Sequence, residues 1–124
     1  MKKIAALFSA LLLLASLSAC SASWPSKGDL AEMSSGTMGG LRIVHWEDRT
    51  YVPFCVVSKN DRGDPVGYVD GDTDDRISAY KDYSTKEWLV NWMSTDGGAF
   101  LLKEEHVTEI PEGLTQEYTV DDNR

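Results

Sequence analysis

The apolar residues of this chain fall into short runs separated by clusters of Gly, Pro, Asp and Asn, the pattern of short strands joined by turns. Residues 41–46 read as a strand, with Ile43, Val44 and Trp46 all good β formers. Glu47-Asp48-Arg49 supplies a turn. Residues 50–57 make the strongest strand. Tyr51, Val52, Phe54, Cys55, Val56 and Val57 are apolar on both faces, which predicts burial on two sides. Pro53 cannot donate to a ladder, so it belongs at an edge or a bulge. The two runs together predict a hairpin. Residues 59–65 form a polar loop with Gly63 and Pro65, 66–69 a short strand, 70–75 a tight acidic loop and 76–80 a further strand.

The period changes over 84–93. Trp88, Leu89, Trp92 and Met93 share one face of a helix, and Ser84 and Glu87 have the spacing of a capping box. Gly97-Gly98 stops it, 99–103 is a last strand, and 110–113 is a turn. The fold expected is mainly β: a small bent antiparallel sheet or SH3-like β-barrel with one short helix near 85–93. An open α+β sheet with the helix on one face is the alternative.

The N-terminus has a different pattern. Lys2 and Lys3 precede a charge-free run over 4–17, too short for the roughly 20 residues that span a bilayer. It reads as an export signal. Leu17-Ser18-Ala19-Cys20 closes it and resembles the bacterial lipobox. That resemblance implies cleavage before Cys20 and diacylglyceryl modification of the Cys20 thiol. The organisation expected is signal peptide 1–19, lipidated Cys20 and flexible tether 20–40, β-rich domain 41–114 and acidic tail 115–124. The tether would span about 25 Å. Trp24 is its one large aromatic residue; an indole suits the membrane interface, and an unordered Trp fits equally well. Ser21 carries no negative charge, so a Gram-negative envelope would hold the protein in its outer membrane.

Charge narrows the partners. The 124 residues carry 12 Lys and Arg against 20 Asp and Glu, a net charge of −8. Loss of the two signal lysines makes it −10. Such a chain is not built for nucleic acid, whose phosphates demand cations, and anionic headgroups would repel it. Acyl chains must therefore supply the membrane hold. The charge favours a cationic envelope protein, or a glycan, as partner. Export permits disulfides, but with Cys20 lipidated, Cys55 has no mate. The apolar core must hold the fold unaided.

Two segments carry a family resemblance. Tyr51-Val52-Pro53-Phe54 leading to Gly67-Tyr68-Val69-Asp70-Gly71-Asp72 is the first. The second is Val107-Thr108-Glu109-Ile110-Pro111-Glu112-Gly113-Leu114. Together they are similar to small bacterial lipoproteins without an assigned activity. The resemblance implies the element order and no catalytic residue.

Three constellations are candidates for chemistry. Asp70, Asp72, Asp74 and Asp75 imitate the start of an EF-hand loop, in which alternate carboxylates wrap Ca²⁺. Asp75 stands where that loop needs Gly, and Lys81 where it needs Glu. The two readings are a weak Ca²⁺ site and a solvated turn, with the turn favoured. Trp46, Trp88 and Trp92 suit an aromatic groove or, more simply, the core. Cys55 with His45 or His106 is a thiol-enzyme candidate, opposed by its apolar surroundings. No other cofactor is expected. The function expected is a lipid-anchored, non-enzymatic binding module of the cell envelope; the alternatives are a small extracytoplasmic hydrolase or thiol enzyme and a weak Ca²⁺-binding module.

Overall fold

The computed structural model of the protein describes residues 24–95 and 98–119. The expected signal peptide, Cys20 and the end of the acidic tail lie outside them. Seven strands close a barrel in the order β1-β2-β3-β7-β6-β5-β4. They are β1 (Ala31–Met38), β2 (Leu41–Trp46), β3 (Arg49–Val57), β4 (Arg62–Val69), β5 (Asp72–Tyr80), β6 (Trp88–Met93) and β7 (Ala99–Glu104). The fold is mainly β, as the short alternating runs predict. Among the described residues no helix is long and apolar enough to cross a membrane.

Three neighbouring strand pairs are joined by two-residue turns. Gly39-Gly40 joins β1 to β2, Glu47-Asp48 joins β2 to β3 and Asp70-Gly71 joins β4 to β5. Gly39, Gly40, Glu47, Asp70 and Gly71 all have positive φ, the backbone whose twist matches tight hairpins. The acidic loop is thus only Asp70-Gly71, and Asp72 to Asp75 belong to β5. The expected 59–65 loop also shrinks. A single 3-10 turn spans Lys59–Asp61, and Pro65 sits inside β4 at a break in its register with β5. Pro53 occupies a comparable break, between β3 and β7, where its missing N–H costs the ladder least.

Closure is parallel, not antiparallel. Ala31, Glu32 and Met33 of β1 pair with Gly67, Tyr68 and Val69 of β4. A Cβ on Gly67 would stand 2.5 Å from the Ala31 carbonyl oxygen, so only glycine lets the two backbones meet here. β1 lies inside the segment expected to be a tether. Only Met33 of it is buried, so no apolar period marks it; backbone ladders to β2 and β4 hold it.

The helix near 85–93 does not form. Ser84 accepts from the Glu87 and Trp88 amides at 3.1 and 3.0 Å, one turn and no more, and Trp88–Met93 enters the sheet as β6. Spacings of four place residues on one face in a strand as well as in a helix. Trp88, Val90 and Trp92 share one face, and Leu89, Asn91 and Met93 the other. Both faces find apolar cover, which decides for the strand.

That cover makes two cores. Met33, Val44, Tyr51, Val69, Ile77, Leu89 and Leu102 fill the barrel interior. Phe54, Cys55, Trp88, Val90, Ala99 and Leu101 form a second cluster on the outer face, flanked by Val107, Leu114, Tyr80 and Trp92. The chain after β7 crosses this outer face as a strap. The Glu117 and Tyr118 amides both donate to the Phe54 carbonyl, and the Val56 amide donates to the Glu117 carboxylate at 2.9 Å. Residues 115–118 are thereby docked rather than frayed.

A cationic cleft between two indoles

β4, β5 and β6 present a cleft of about 320 Å³ on the outer face of the barrel, lined by Trp24, Lys59, Arg62, Arg76, Ser78 and Trp92 among others. Register builds it. Arg76 pairs directly with Trp92, and Ser78 with Val90, so Arg76, Ser78 and Trp92 emerge on the same outer face. The Trp92 Nε1–H donates to Ser78 Oγ at 3.0 Å, which fixes the ring.

Each arginine is tied at its Nε. Arg62 donates to the Lys59 carbonyl at 3.0 Å, and Arg76 to the Thr73 carbonyl at 2.9 Å. The turn offering the Lys59 carbonyl is itself held by a capping box, Asn60 N to Ser58 Oγ at 3.1 Å and Ser58 N to the Asp61 carboxylate at 3.0 Å. The Arg62 guanidinium stands 3.8 Å from the Trp92 ring centre, and that of Arg76 lies 5.2 and 5.4 Å from the Trp24 and Trp92 centres. These are cation–π distances.

Trp24 closes the cleft. It meets Trp92 edge-on at 5.3 Å and Tyr68 at 6.2 Å. The Tyr68 hydroxyl donates to the Pro25 carbonyl, pinning the chain entry to the barrel wall. The Trp24 Nε1–H is buried without an acceptor among the described residues.

Electrostatics set this cleft apart from the rest of an acidic protein. No carboxylate among the described residues pairs with Arg62 or Arg76. Burial, and then the charge of Arg76, both disfavour protonated Arg62 and lower its pKa. Two cations therefore face each other without an internal counter-ion.

The carboxylates of the acidic turn do not converge on a common point. Asp70 accepts from the Ser35 amide at 2.9 Å and from its hydroxyl. These bonds pull its pKa below the usual range, more than the Arg42 charge does. Asp75 is buried in the interior, where it accepts from Arg42 Nη2 at 2.5 Å and Asn91 Nδ2 at 2.7 Å. Asp72 accepts from the Asp74 amide, and Asp74 from the Ser94 hydroxyl. Arg42 stands between Asp75 and Asp70, and Lys27 Nζ donates to the Gly71 carbonyl at 3.1 Å, so two cations already serve this turn.

Nor do Trp46, Trp88 and Trp92 line one groove. Trp46 packs on the interior cluster. Trp88 is 1 % exposed and stacks edge-on with Phe54 at 5.4 Å. Trp92 lines the cleft with Trp24, while Trp88 borders a separate pocket with Tyr83, Glu87 and Ile110. Cys55 is buried and free, and burial raises its thiol pKa, with Glu117 adding to the rise; a reactive thiol needs the opposite shift. Exposed His45 pairs with Thr50, and His106 with Glu104 at 3.0 Å. Glu104, Glu105 and His106 bring three ligand atoms together, but they are consecutive in sequence, and the buried Glu104 carboxylate is already bonded to His106.

Sequence reasoning marked Trp24 and Trp92 and missed Lys59, Arg62 and Arg76. Their separations follow neither period; the β4–β5 hairpin unites them. Comparison with family models, curated proteins and solved structures gives no match.

Proposed function

We propose that the protein is a lipid-anchored component of the cell envelope whose barrel is a non-enzymatic binding module, with the Trp24–Trp92 cleft as its ligand site. The observation that carries this reading is the place of Trp24. It is built into the cleft wall, and it follows Cys20, the Cys of the lipobox-like tetrapeptide, by only four residues. The anchor and the cleft therefore belong to one end of the molecule. The resemblance to small bacterial lipoproteins agrees with that order.

A binding role is supported by the chemistry of the cleft. Fixed cations between indole walls recognise charge and shape, while the buried Cys55 thiol is unsuited to nucleophilic work. The acidic remainder of the surface suits a cationic envelope protein or a glycan as a second contact. In an envelope with two membranes, Ser21 favours the outer one.

Detergent phase separation of cells expressing the full chain, with mass analysis of the mature N-terminus, tests the anchor. The expected result is partition into the detergent phase with an acylated Cys20, lost in Cys20→Ala. An unmodified N-terminus in the aqueous phase would refute the anchor. Turnover of an ester, glycoside or peptide substrate by the purified protein, abolished in Cys55→Ala, would refute the non-enzymatic reading.

A further inference from the structure

We propose that the Trp24–Trp92 cleft binds the phosphate group of a phosphate ester, held by Arg62 and Arg76 and flanked by the two indoles. Both guanidinium groups spend only their Nε–H on the protein. Their Nη groups have no acceptor among the described residues. A guanidinium edge with paired donors matches the oxygens of phosphate.

Charge points the same way. Lys59, Arg62 and Arg76 line one cleft of a chain whose net charge is −8. An anion between Arg62 and Arg76 would relieve their mutual repulsion. Three cations suit a phosphate better than a single carboxylate. The Trp24 Nε1–H, buried with no partner among the described residues, belongs to an indole of the same cleft; buried donors without acceptors are uncommon in native proteins. The indoles offer an apolar wall to the carbon part of the ester.

Two sources share this chemistry, a lipid headgroup and a free phosphate ester. The lipid source rests on the anchor reading. Three residues separate Cys20 from Trp24, so the extended chain spans at most about 14 Å, within reach of the headgroup layer. Net charge alone predicts repulsion from such a surface; the local charge of the cleft reverses it.

The test uses mature protein extracted in neutral detergent, with tryptophan emission as readout. One arm adds glycerol 3-phosphate; the other adds phosphatidylglycerol to the micelles. Glycerol and acetate at matched ionic strength are controls. The expected result is a saturable change in at least one phosphate arm, weakened about tenfold or more in Arg62→Gln and in Arg76→Gln. The lysine variants keep the charge and lose the fork, and should weaken binding less. Thermal melts of every variant establish that it is folded. A response in the lipid arm alone assigns a headgroup, and a response to the free ester assigns a soluble ligand. No response in either arm, an equal response to acetate, or full affinity in all four folded variants would overturn the proposal. Should Cys20 prove unmodified, the anchor reading falls, while the free-ester titration of the same protein still decides this one.

Discussion

The Arg62 guanidinium lies 3.8 Å from the centre of the Trp92 ring. Trp92 also meets the edge of Trp24, so one ring couples the start of β4 to the segment ahead of β1. Arg62→Met keeps the stem and removes the cation. It loses a cation–π contact worth about 1 kcal/mol and relieves the repulsion from Arg76, so the expected net loss is below about 1 kcal/mol. Urea unfolding measures it. An unchanged midpoint would mean that the stacking does no more than offset that repulsion.

Gly67 makes the barrel's closure possible. Gly67→Ala would drive a methyl against the Ala31 carbonyl, and backbone cannot yield as a side-chain tip can. The expected loss is about 1–3 kcal/mol, with β1 amides exchanging faster than those of β3. Gly28→Ala, where a methyl meets nothing within 4 Å, is the control.

Alkaline pH should unfold the protein through two buried acids. Tyr51 is pushed up to about 12, chiefly by burial, with Arg49 opposing and Glu104 adding. The unfolded chain releases this proton near pH 10 and the folded one later. The Tyr51 contribution is therefore full below pH 10 and falls between there and about 12. Cys55 acts in the same direction, starting near pH 9. Tyr51→Phe should flatten the upper part of this fall. At neutral pH it should cost about 1 kcal/mol through the lost bond to the Thr85 carbonyl, 2.8 Å long.

Cys55 reports on the C-terminal strap. In the native protein, thiol reagents should label it slowly. Leu114→Ala, which thins its cover, should speed labelling with little change in the barrel's circular dichroism. Cys55→Ser leaves a hydroxyl in an apolar site and should cost about 1–3 kcal/mol. Rapid labelling of the wild type would show that the strap does not seal the outer cluster.

Divalent ions should act on the acidic turn only by screening. Arg42 already stands between Asp70 and Asp75. Ca²⁺ and Mg²⁺ at matched ionic strength should shift the melting temperature equally. A Ca²⁺-selective rise, lost in Asp72→Asn, would establish a weak site instead, with affinity of about 0.1–1 mM. On the acid side, the lowered pKa of Asp70 contributes stability above about pH 4. That contribution is lost as pH falls through the folded value, and Ser35→Ala should reduce it.

Local chemistry alone made much of this protein legible. Alternation and β-branched residues marked the β2–β3 hairpin, and the apolar faces of residues 50–57 foretold the burial of Tyr51, Phe54 and Cys55. Gly39-Gly40 is a hairpin signal of the same local kind, but the strand before it is small and polar and carries no apolar period. What local pattern could not decide was which strands meet. Trp88 and Trp92 are four apart, and that spacing fits one face of either element; only the presence of apolar cover on both sides makes β6 a strand. β1 is chosen by pairing with β4, a contact across more than thirty residues, and Gly67 gains its meaning only there. The cleft follows the same logic. Arg62 and Arg76 are charges of ordinary appearance in the chain, and become a site because the β4–β5 and β5–β6 pairings set them beside Trp92.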